Sequence, residues 1–361
     1  MGEFKLRLSA SKKDQKHENF KYSQYLGLYF IKSFLASFRT LLVALIFLPF
    51  ATSCQESSKH KVVAVTQIVA HPAVDAVRQG IKESLAEAGY TEGHNLTWIY
   101  ENAHGNIATA NQIAQKFVGM KPDVIVTITT SSAQAAASAT RDNKIPVVFA
   151  AVTDPLAAGL IASFAAPGGN LTGTTDMPPI EKQILLIREI MPNIKTLGVL
   201  YNAGEANSAA QVERVKQLAN TLEIKVIAKT AENSTKVLSA AQGLVTEVDA
   251  IYIPLDNTVA SALRAVITLC MSDEIGKKIP VFASDPEGVH QGAVATIGFT
   301  HYEEGKKTGM IVAQVLKGHA PATLAVQSPQ DLGIYINLKS AEALGFQIPA
   351  AMIKSATEVI K

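Results

Sequence analysis

The chain has 361 residues, enough for two α/β domains of roughly 100–150 residues each. Hydrophobic residues make up 48% of it and charged residues 18%, which is the balance of a folded globular protein rather than of a disordered one. Residues 1–54 hold 8 of the 33 Lys/Arg and 3 of the 31 Asp/Glu, so the remainder has a net charge near −3, which argues against nucleic-acid binding.

The N-terminal region resembles a bacterial lipoprotein signal. An apolar run at 41–50, LLVALIFLPF, follows basic residues and has the length of a signal-peptide core, whereas a membrane span needs ~20 residues. Small residues then lead into Cys54. We therefore expect 1–54 to be a signal peptide with a lipobox, Cys54 to be lipidated, and the protein to be extracytoplasmic and anchored to the membrane. A cleaved signal that leaves Cys54 free is the alternative, and 55–61 is predicted to be a solvated tether.

Beyond the tether, short apolar strands alternate with amphipathic helices, which predicts βαβ units and a parallel sheet. The first lobe is predicted to contain strands at 62–65, 96–100 and 123–128, and helices at 74–85, 106–117, from Ser131–Ser132 onward, and 156–164.

A weak internal repeat supports two similar lobes. Residues 123–155 and 249–287 each contain Asp-(Val/Ala)-Ile, a polar strand end, an Ala-rich helix, a Lys-Ile-Pro-Val segment and an Asp-Pro pair. Similarity at this spacing is typical of a duplicated α/β domain. In open α/β sheets the ligand lies beyond the carboxyl ends of the strands, so facing lobes would enclose a small molecule.

The predicted fold class is therefore α/β, with two Rossmann-like lobes, parallel sheets flanked by helices, and several crossovers acting as a hinge. The N-terminal lobe is assigned to 62–175 with about 299–325, and the C-terminal lobe to 176–298 with about 326–361.

Polar residues recur at the strand ends and suggest a zwitterionic ligand. Ser131 and Ser132 stand at a predicted helix N-terminus, where free N–H groups and the helix dipole suit a carboxylate. Asp154, Asp256 or Asp285 would neutralise an ammonium group. For each of these residues the alternative is a plain cap or turn role.

Signatures of catalysis are missing. The sequence has no GxSxG, HExxH, paired CxxC, GxxxxGK[ST] or GxGxxG pattern, and its eight histidines have no metal-ligand spacing. We therefore expect a binding protein rather than an enzyme, with no metal and no cofactor.

Four segments resemble the substrate-binding lipoproteins of ABC importers, in particular the subgroup associated with tryptophan and other aromatic amino acids. They are Thr66-Gln67-Ile68-Val69-x-His71-Pro72-Ala73, Ala150-Ala151-Val152-Thr153-Asp154-Pro155, Tyr201-Asn202-x-Gly204-Glu205-x-Asn207-Ser208 and Pro254-x-Asp256-Asn257-Thr258. The resemblance covers about 60–355. It implies a type I periplasmic-binding-protein fold, a ligand such as tryptophan, phenylalanine or tyrosine, a permease and an ATPase as membrane partners, and a monomeric protein. Relatives commonly carry Gly, Thr and Pro where this chain has Thr-Thr-Ser-Ser at 129–132.

The candidate ligand-binding residues are Gln67, His71, Ser131, Ser132, Thr153, Asp154, Asp176, Asn207, Asp256, Asn257 and Asp285. Two other functions stay open: a sensor of the same fold that passes lobe closure to a receptor, and a hydrolase that uses the cleft carboxylates. A repressor of similar fold would need a basic helix-turn-helix where this chain has an apolar signal.

Overall fold

A computed structural model describes residues 60–361, and the chain enters its first strand at Lys61, inside the predicted tether. The predicted signal segment, its lipidation site Cys54 and residues 55–59 lie outside the described residues. Within 60–361, no helix is long and apolar enough to cross a membrane.

The N-terminal lobe alternates strands and helices along the chain. Its elements are β1 (Lys61–Gln67), α1 (Pro72–Glu87), β2 (Leu96–Asn102), α2 (Ile107–Met120), β3 (Val124–Ile128), α3 (Thr130–Ala139), β4 (Val147–Ala150) and β5 (Leu171–Gly173). The strands form one parallel sheet in the order β2-β1-β3-β4-β5. Helices cover both faces, so Val63 and Val65 are buried on one side of β1 and Ala64 on the other.

The C-terminal lobe repeats this arrangement. Its elements are α4 (Ile180–Ile190), β6 (Thr196–Tyr201), α5 (Ala206–Thr221), β7 (Lys225–Thr230), α6 (Ser234–Gln242), β8 (Ala250–Ile253), α7 (Asn257–Ala260), α8 (Leu263–Met271), β9 (Val281–Ala283) and α9 (Pro286–His290). Its parallel sheet has the order β7-β6-β8-β9. The two halves of the internal repeat thus correspond to β3-α3-β4 and to β8 through β9.

Three crossovers connect the lobes. The chain passes from β5 through 174–179 into α4, returns after β10 (Ala295–Gly298) into α10 (His301–Leu316), and leaves again at 327–332 for β11 (Gly333–Asn337). Helices α11 (Leu338–Ala343) and α12 (Ala350–Ser355) and strand β12 (Glu358–Ile360) follow. Strands β10, β11 and β12 form a small sheet that adjoins β9, where the Val294 N–H donates to the Val281 carbonyl.

Helix α10 packs closely against α1 and fixes the returning segment to the N-terminal lobe. A Cβ atom at Gly305 would lie 2.2 Å from the Val77 carbonyl oxygen, and one at Gly80 would lie 2.3 Å from the Tyr302 carbonyl oxygen. Only glycine permits this approach, which places the first turn of α10 beside the start of α1.

The predicted α/β fold class is confirmed, and one predicted helix is wrong. Residues 156–159 form a turn, and 160–164 are bends and irregular backbone. The Asp154 carboxylate accepts the Ala157 N–H and begins a helix-like turn, but Gly159 has φ +70° and ends it after one turn.

Candidate functional site

A narrow cavity lies between the two lobes at the carboxyl ends of their strands. The N-terminal lobe contributes the start of α1 and the ends of β3 and β4, and the C-terminal lobe contributes the starts of α5, α7 and α9. The lining residues are His71, Ala73, Val74, Thr129, Ala151, Thr153, Asp176, Asn207, Leu255, Asp256, Asn257, Ala260, Asp285 and His301.

Two aspartates in this cavity have carboxylate oxygens that could accept hydrogen bonds from a ligand. Asp176, in the first crossover, is 4% exposed, and its Oδ1 has no hydrogen-bond partner among residues 60–361. Asp285 precedes α9 and uses Oδ1 to accept the Gly288 N–H at 2.6 Å. Burial, and then the neighbouring Glu287 charge, raise the pKa of Asp285 to about 6.

The N-terminal lobe directs two helix N-termini toward the cavity. Helix α1 begins after His71 and α3 begins after Thr129, and neither of these N-cap side chains bonds the first N–H groups of its helix. Ala73 and Val74, in the first turn of α1, line the cavity. The N–H groups of a first helical turn have no intrahelical partner, so they attract an anion together with the helix dipole.

Strained backbone marks the same edge of the sheet. Thr129 has φ +85° and ψ 159°, and Ala151 has φ +51°. Such conformations cost about 1–3 kcal/mol each for residues other than glycine, and they are concentrated at functional sites. The Thr129 hydroxyl is buried and has no hydrogen-bond partner among the described residues, and Thr129 lines the cavity.

The C-terminal wall of the cavity is held by a dense hydrogen-bond network. Glu205 accepts four hydrogen bonds, from the backbone and side chains of Asn257 and Thr258. Both carboxylate oxygens of Asp256 accept backbone N–H groups, and burial together with the Glu205 charge raises the pKa of Asp256 to about 7. Asn207 donates to the Leu255 carbonyl, while its Oδ1 is buried without a partner among the described residues.

One hydrogen bond links the two lobes across the cavity, from His71 Nε2 to Asn257 Oδ1 at 3.4 Å. Because burial lowers the pKa of His71 to about 4, its ring is neutral near pH 7. Asn257 donates its amide N–H to Glu205, so its amide oxygen is the atom that accepts a hydrogen bond from the Nε2–H of His71.

A buried ion cluster adjoins the cavity at the hinge. The Glu287 carboxylate accepts the backbone N–H of His301 and lies 3.0 Å from its Nδ1, and Asp176 Oδ2 lies 3.9 Å from its Nε2. Burial opposes a charge on His301, but these carboxylates outweigh it and hold the pKa of His301 well above its ordinary value. Asp176, His301 and Glu304 are spaced to hold a metal ion, since each offers a ligand atom within 4.8 Å of the others. The protonated imidazole already supplies a cation there.

Seven of the eleven sequence-predicted site residues line the cavity: His71, Thr153, Asp176, Asn207, Asp256, Asn257 and Asp285. The other four lie elsewhere. Gln67 is turned inward onto Asp75, Arg78 and the Val69 carbonyl, and Asp154 caps a turn. Ser131 and Ser132 are buried in the first turn of α3, behind Thr129.

Sequence reasoning missed Thr129, His301 and the first turn of α1. Thr129 was visible as a polar strand end, but nothing in the sequence showed its positive φ. His301 belongs to no motif, and only the crossover between β10 and α10 brings it to Asp176.

The cavity is narrow, with a volume of about 30 Å³. Two larger cavities between the lobes adjoin it: one of about 590 Å³ shares Asn257, and one of about 930 Å³ shares His71 and Ala260. The narrow cavity and its two larger neighbours therefore share lining residues at His71, Asn257 and Ala260.

The family described as ABC transporter substrate binding protein matches residues 62–360. A tyrosine-binding protein from Clostridioides difficile is 36% identical over 292 residues, which cover 81% of this chain and 83% of that protein.

Two solved structures, one with a bound ligand and one without, are similar to this chain. An ABC domain in complex with L-Trp from Streptococcus pneumoniae is 35% identical, covers 84% of this chain and 100% of its own, and has a TM-score of 0.79. The ligand-free, open structure of a substrate-binding protein with adhesive properties from Clostridium difficile is 36% identical, covers 83% of this chain and 99% of its own, and has a TM-score of 0.61.

Proposed function

Because the chain belongs to the family of ABC transporter substrate-binding proteins and has the type I periplasmic-binding-protein fold, we propose that it captures an aromatic amino acid between its lobes and delivers it to an ABC importer. Two relatives support this ligand class, since one is named tyrosine-binding and the other is in complex with L-Trp. A permease and an ATPase in the membrane are the expected partners, and the protein acts as a monomer on the extracytoplasmic side.

The observation that carries this proposal is that one cavity contains both an unpartnered carboxylate oxygen, which suits a cation, and unpartnered hydrogen-bond donors, which suit an anion. Asp176 has an unpartnered carboxylate oxygen there, which needs a cation. The Thr129 hydroxyl and the first turn of α1 offer donors, which need an anion. A free amino acid carries both charges, on an ammonium and a carboxylate group bonded to the same carbon atom.

We assign the ammonium group to Asp176, with Asp285 beside it. The three acids predicted for this role, Asp154, Asp256 and Asp285, differ in whether a carboxylate oxygen is free to bind a ligand. Asp154 is outside the cavity, and both oxygens of Asp256 already accept backbone N–H groups. Asp285 uses one oxygen as a helix cap and has the other left for the ligand. The carboxylate then lies toward Thr129 and α1.

A hydrolase would require a base placed against a nucleophile. The two histidines of the cavity instead contact an amide, in His71–Asn257, and carboxylates, in His301 with Glu287 and Asp176. These contacts favour binding over catalysis. A sensor of the same fold would use the same cavity and differ in its partner, and co-purification with a permease or with a receptor distinguishes the two.

The test is ligand identification followed by titration. Native mass spectrometry of the protein from Gln55 onward, purified without added ligand, is expected to show an adduct with the mass of an aromatic amino acid. Calorimetric titration should then give binding of L-tyrosine or L-tryptophan. Tyramine lacks the carboxylate and 3-(4-hydroxyphenyl)propionate lacks the ammonium, so each should bind at least about thirty-fold more weakly. Equal affinity for either analogue would contradict the zwitterion site.

The proposed anchor is tested separately from the ligand. Cys54→Ala should move the protein from the membrane fraction to the soluble fraction, because the thiol is the site of lipid attachment. Cys270→Ala is the matched control, since that thiol is buried in α8. Continued membrane association of the Cys54 variant would rule out this anchor.

A further inference from the structure

The ion cluster at the hinge contains more acid groups than one imidazolium can balance. Asp176, Asp285, Glu287 and Glu304 surround His301; Asp176 and Glu304 are buried, and Asp285 and Glu287 are partly buried. If every acid were ionised, the cluster would carry a charge near −3 in a region of low dielectric constant. Buried charges of one sign at this density are too costly, so part of the cluster must hold protons.

Glu304 is the member placed to hold such a proton without touching the ligand. It follows His301 by three residues on α10, so both side chains project from the same helix face. Its Oε1 accepts the Ala151 N–H at 2.7 Å and the Thr174 hydroxyl at 2.8 Å. Its Oε2 is buried and has no partner among the described residues, and Glu304 is absent from the lining of the ligand cavity.

The unpartnered oxygens of Glu304 and Asp176 belong to neighbouring groups. Asp176, His301 and Glu304 each offer an atom within 4.8 Å of the others, so a charge that arrives at Asp176 acts directly on Glu304. Burial, followed by the Asp176 charge, raises the pKa of Glu304 to about 7, while His301 lowers it. The other charged side chains on α10 and α1 near Glu304 are exposed, half-buried or paired with another side chain. Glu303 is exposed and Lys307 half-buried on α10, and on α1 Glu83 and Glu87 pair with Tyr302 and Lys306.

We infer that ligand capture is coupled to proton release: Glu304 holds a proton in the ligand-free protein and loses it to solvent when the ligand's ammonium group docks at Asp176. The inference rests on the proposed function and adds a titrating residue behind the binding site. The ammonium supplies the positive charge that the proton had supplied, so the cluster keeps its charge while the bound cation changes.

The sign of the pH effect follows from this exchange. A protein that releases a proton on binding has an affinity that rises with pH while the free protein is still protonated. Near pH 6–7 we expect release of about 0.5–1 proton per ligand, and an affinity that rises roughly three- to tenfold between pH 6 and pH 7. The ligand's own ammonium and carboxylate stay ionised through this range.

The experiment is calorimetric titration of the purified protein with L-tyrosine and L-tryptophan at pH 6.5, in two buffers with different ionisation enthalpies. The observed enthalpy should differ between buffers in the direction of proton release. Glu304→Gln keeps an oxygen for Ala151 and Thr174 and should bind with little buffer dependence and about a twofold change or less between pH 6 and pH 7. Glu303→Gln, the exposed neighbour, should behave as the unmodified protein.

The possible failures are distinguishable. Binding of the unmodified protein with an enthalpy that is the same in both buffers overturns the inference and leaves the proposed function intact, whether or not Glu304→Gln folds. Proton release that persists in Glu304→Gln overturns the assignment to this residue. Failure of the unmodified protein to bind either amino acid at any pH overturns the proposed function, and the inference with it.

Discussion

Asp176→Asn is expected to weaken binding of L-tyrosine and L-tryptophan by at least about thirty-fold, since removal of one partner of a buried charge pair costs about 2–5 kcal/mol. The substitution keeps the shape of the side chain and replaces an ionised oxygen with an amide whose N–H groups repel an ammonium. The Asp176 side chain already has one oxygen near His301, so the oxygen that matters is the unpartnered Oδ1.

This variant should bind poorly while remaining folded. Asp176 stands in a cluster with three other acids, and removal of one negative charge reduces the repulsion among them. We therefore expect a melting temperature close to that of the unmodified protein. Asp154→Asn is the matched control, because that carboxylate caps a turn outside the cavity and should leave the affinity within about twofold. Equal affinity of the Asp176 variant and the control would place the ammonium elsewhere, with Asp285 as the next residue to replace.

The α/β fold could be predicted from the sequence because its signals are local. A strand buried on both faces needs an uninterrupted apolar run, as at Val62–Val65, and a helix that covers it needs apolar residues at helical spacing, as in 74–85. The prediction of a helix at 156–164 was wrong because an aspartate cap followed by an Ala-rich segment can begin a single turn as well as a helix of three turns. The positive φ of Gly159 decided between them.

The site was less predictable because its residues come from both lobes and from the hinge. Strand-end position drew attention to Asp256 and Asp285, which line the cavity, since the carboxyl ends of parallel strands meet at one edge. Whether an acid there is free or already satisfied depends on neighbours that are distant in sequence. Asp256 is satisfied by the Asn202 and Val259 N–H groups, while Asp176 is not.

The same limitation applies to the helix start at 129–132. Hydroxyls at a helix N-terminus suggested Ser131 and Ser132 as donors, and that role remains a prediction. The structure turns the preceding residue, Thr129, into the cavity by means of a left-handed backbone conformation. No property of the sequence indicates this conformation, because threonine rarely adopts it.

Thr129→Val is expected to weaken aromatic amino acid binding by roughly ten- to a hundred-fold, since loss of a hydrogen bond to a charged group costs about 1.5–3 kcal/mol. Valine has the shape and β-branching of threonine, so the backbone strain and the cavity wall should change little. The substitution removes the Thr129 hydroxyl, which belongs to a residue that lines the cavity at the start of α3 and has no hydrogen-bond partner among the described residues. Ser131→Ala, in the same turn but outside the cavity lining, is the matched control.

A second substitution at this position separates strain from binding. Thr129→Gly should raise the free energy of unfolding by about 1 kcal/mol, because glycine tolerates φ +85°, and should still weaken binding because the hydroxyl is absent. These two results together would mean that Thr129 lowers the stability of the protein and contributes to ligand affinity, as expected of a binding residue with a strained backbone. If Thr129→Val bound as tightly as the unmodified protein and Ser131→Ala did not, the carboxylate would lie deeper in the first turn of α3, as the sequence alone suggested.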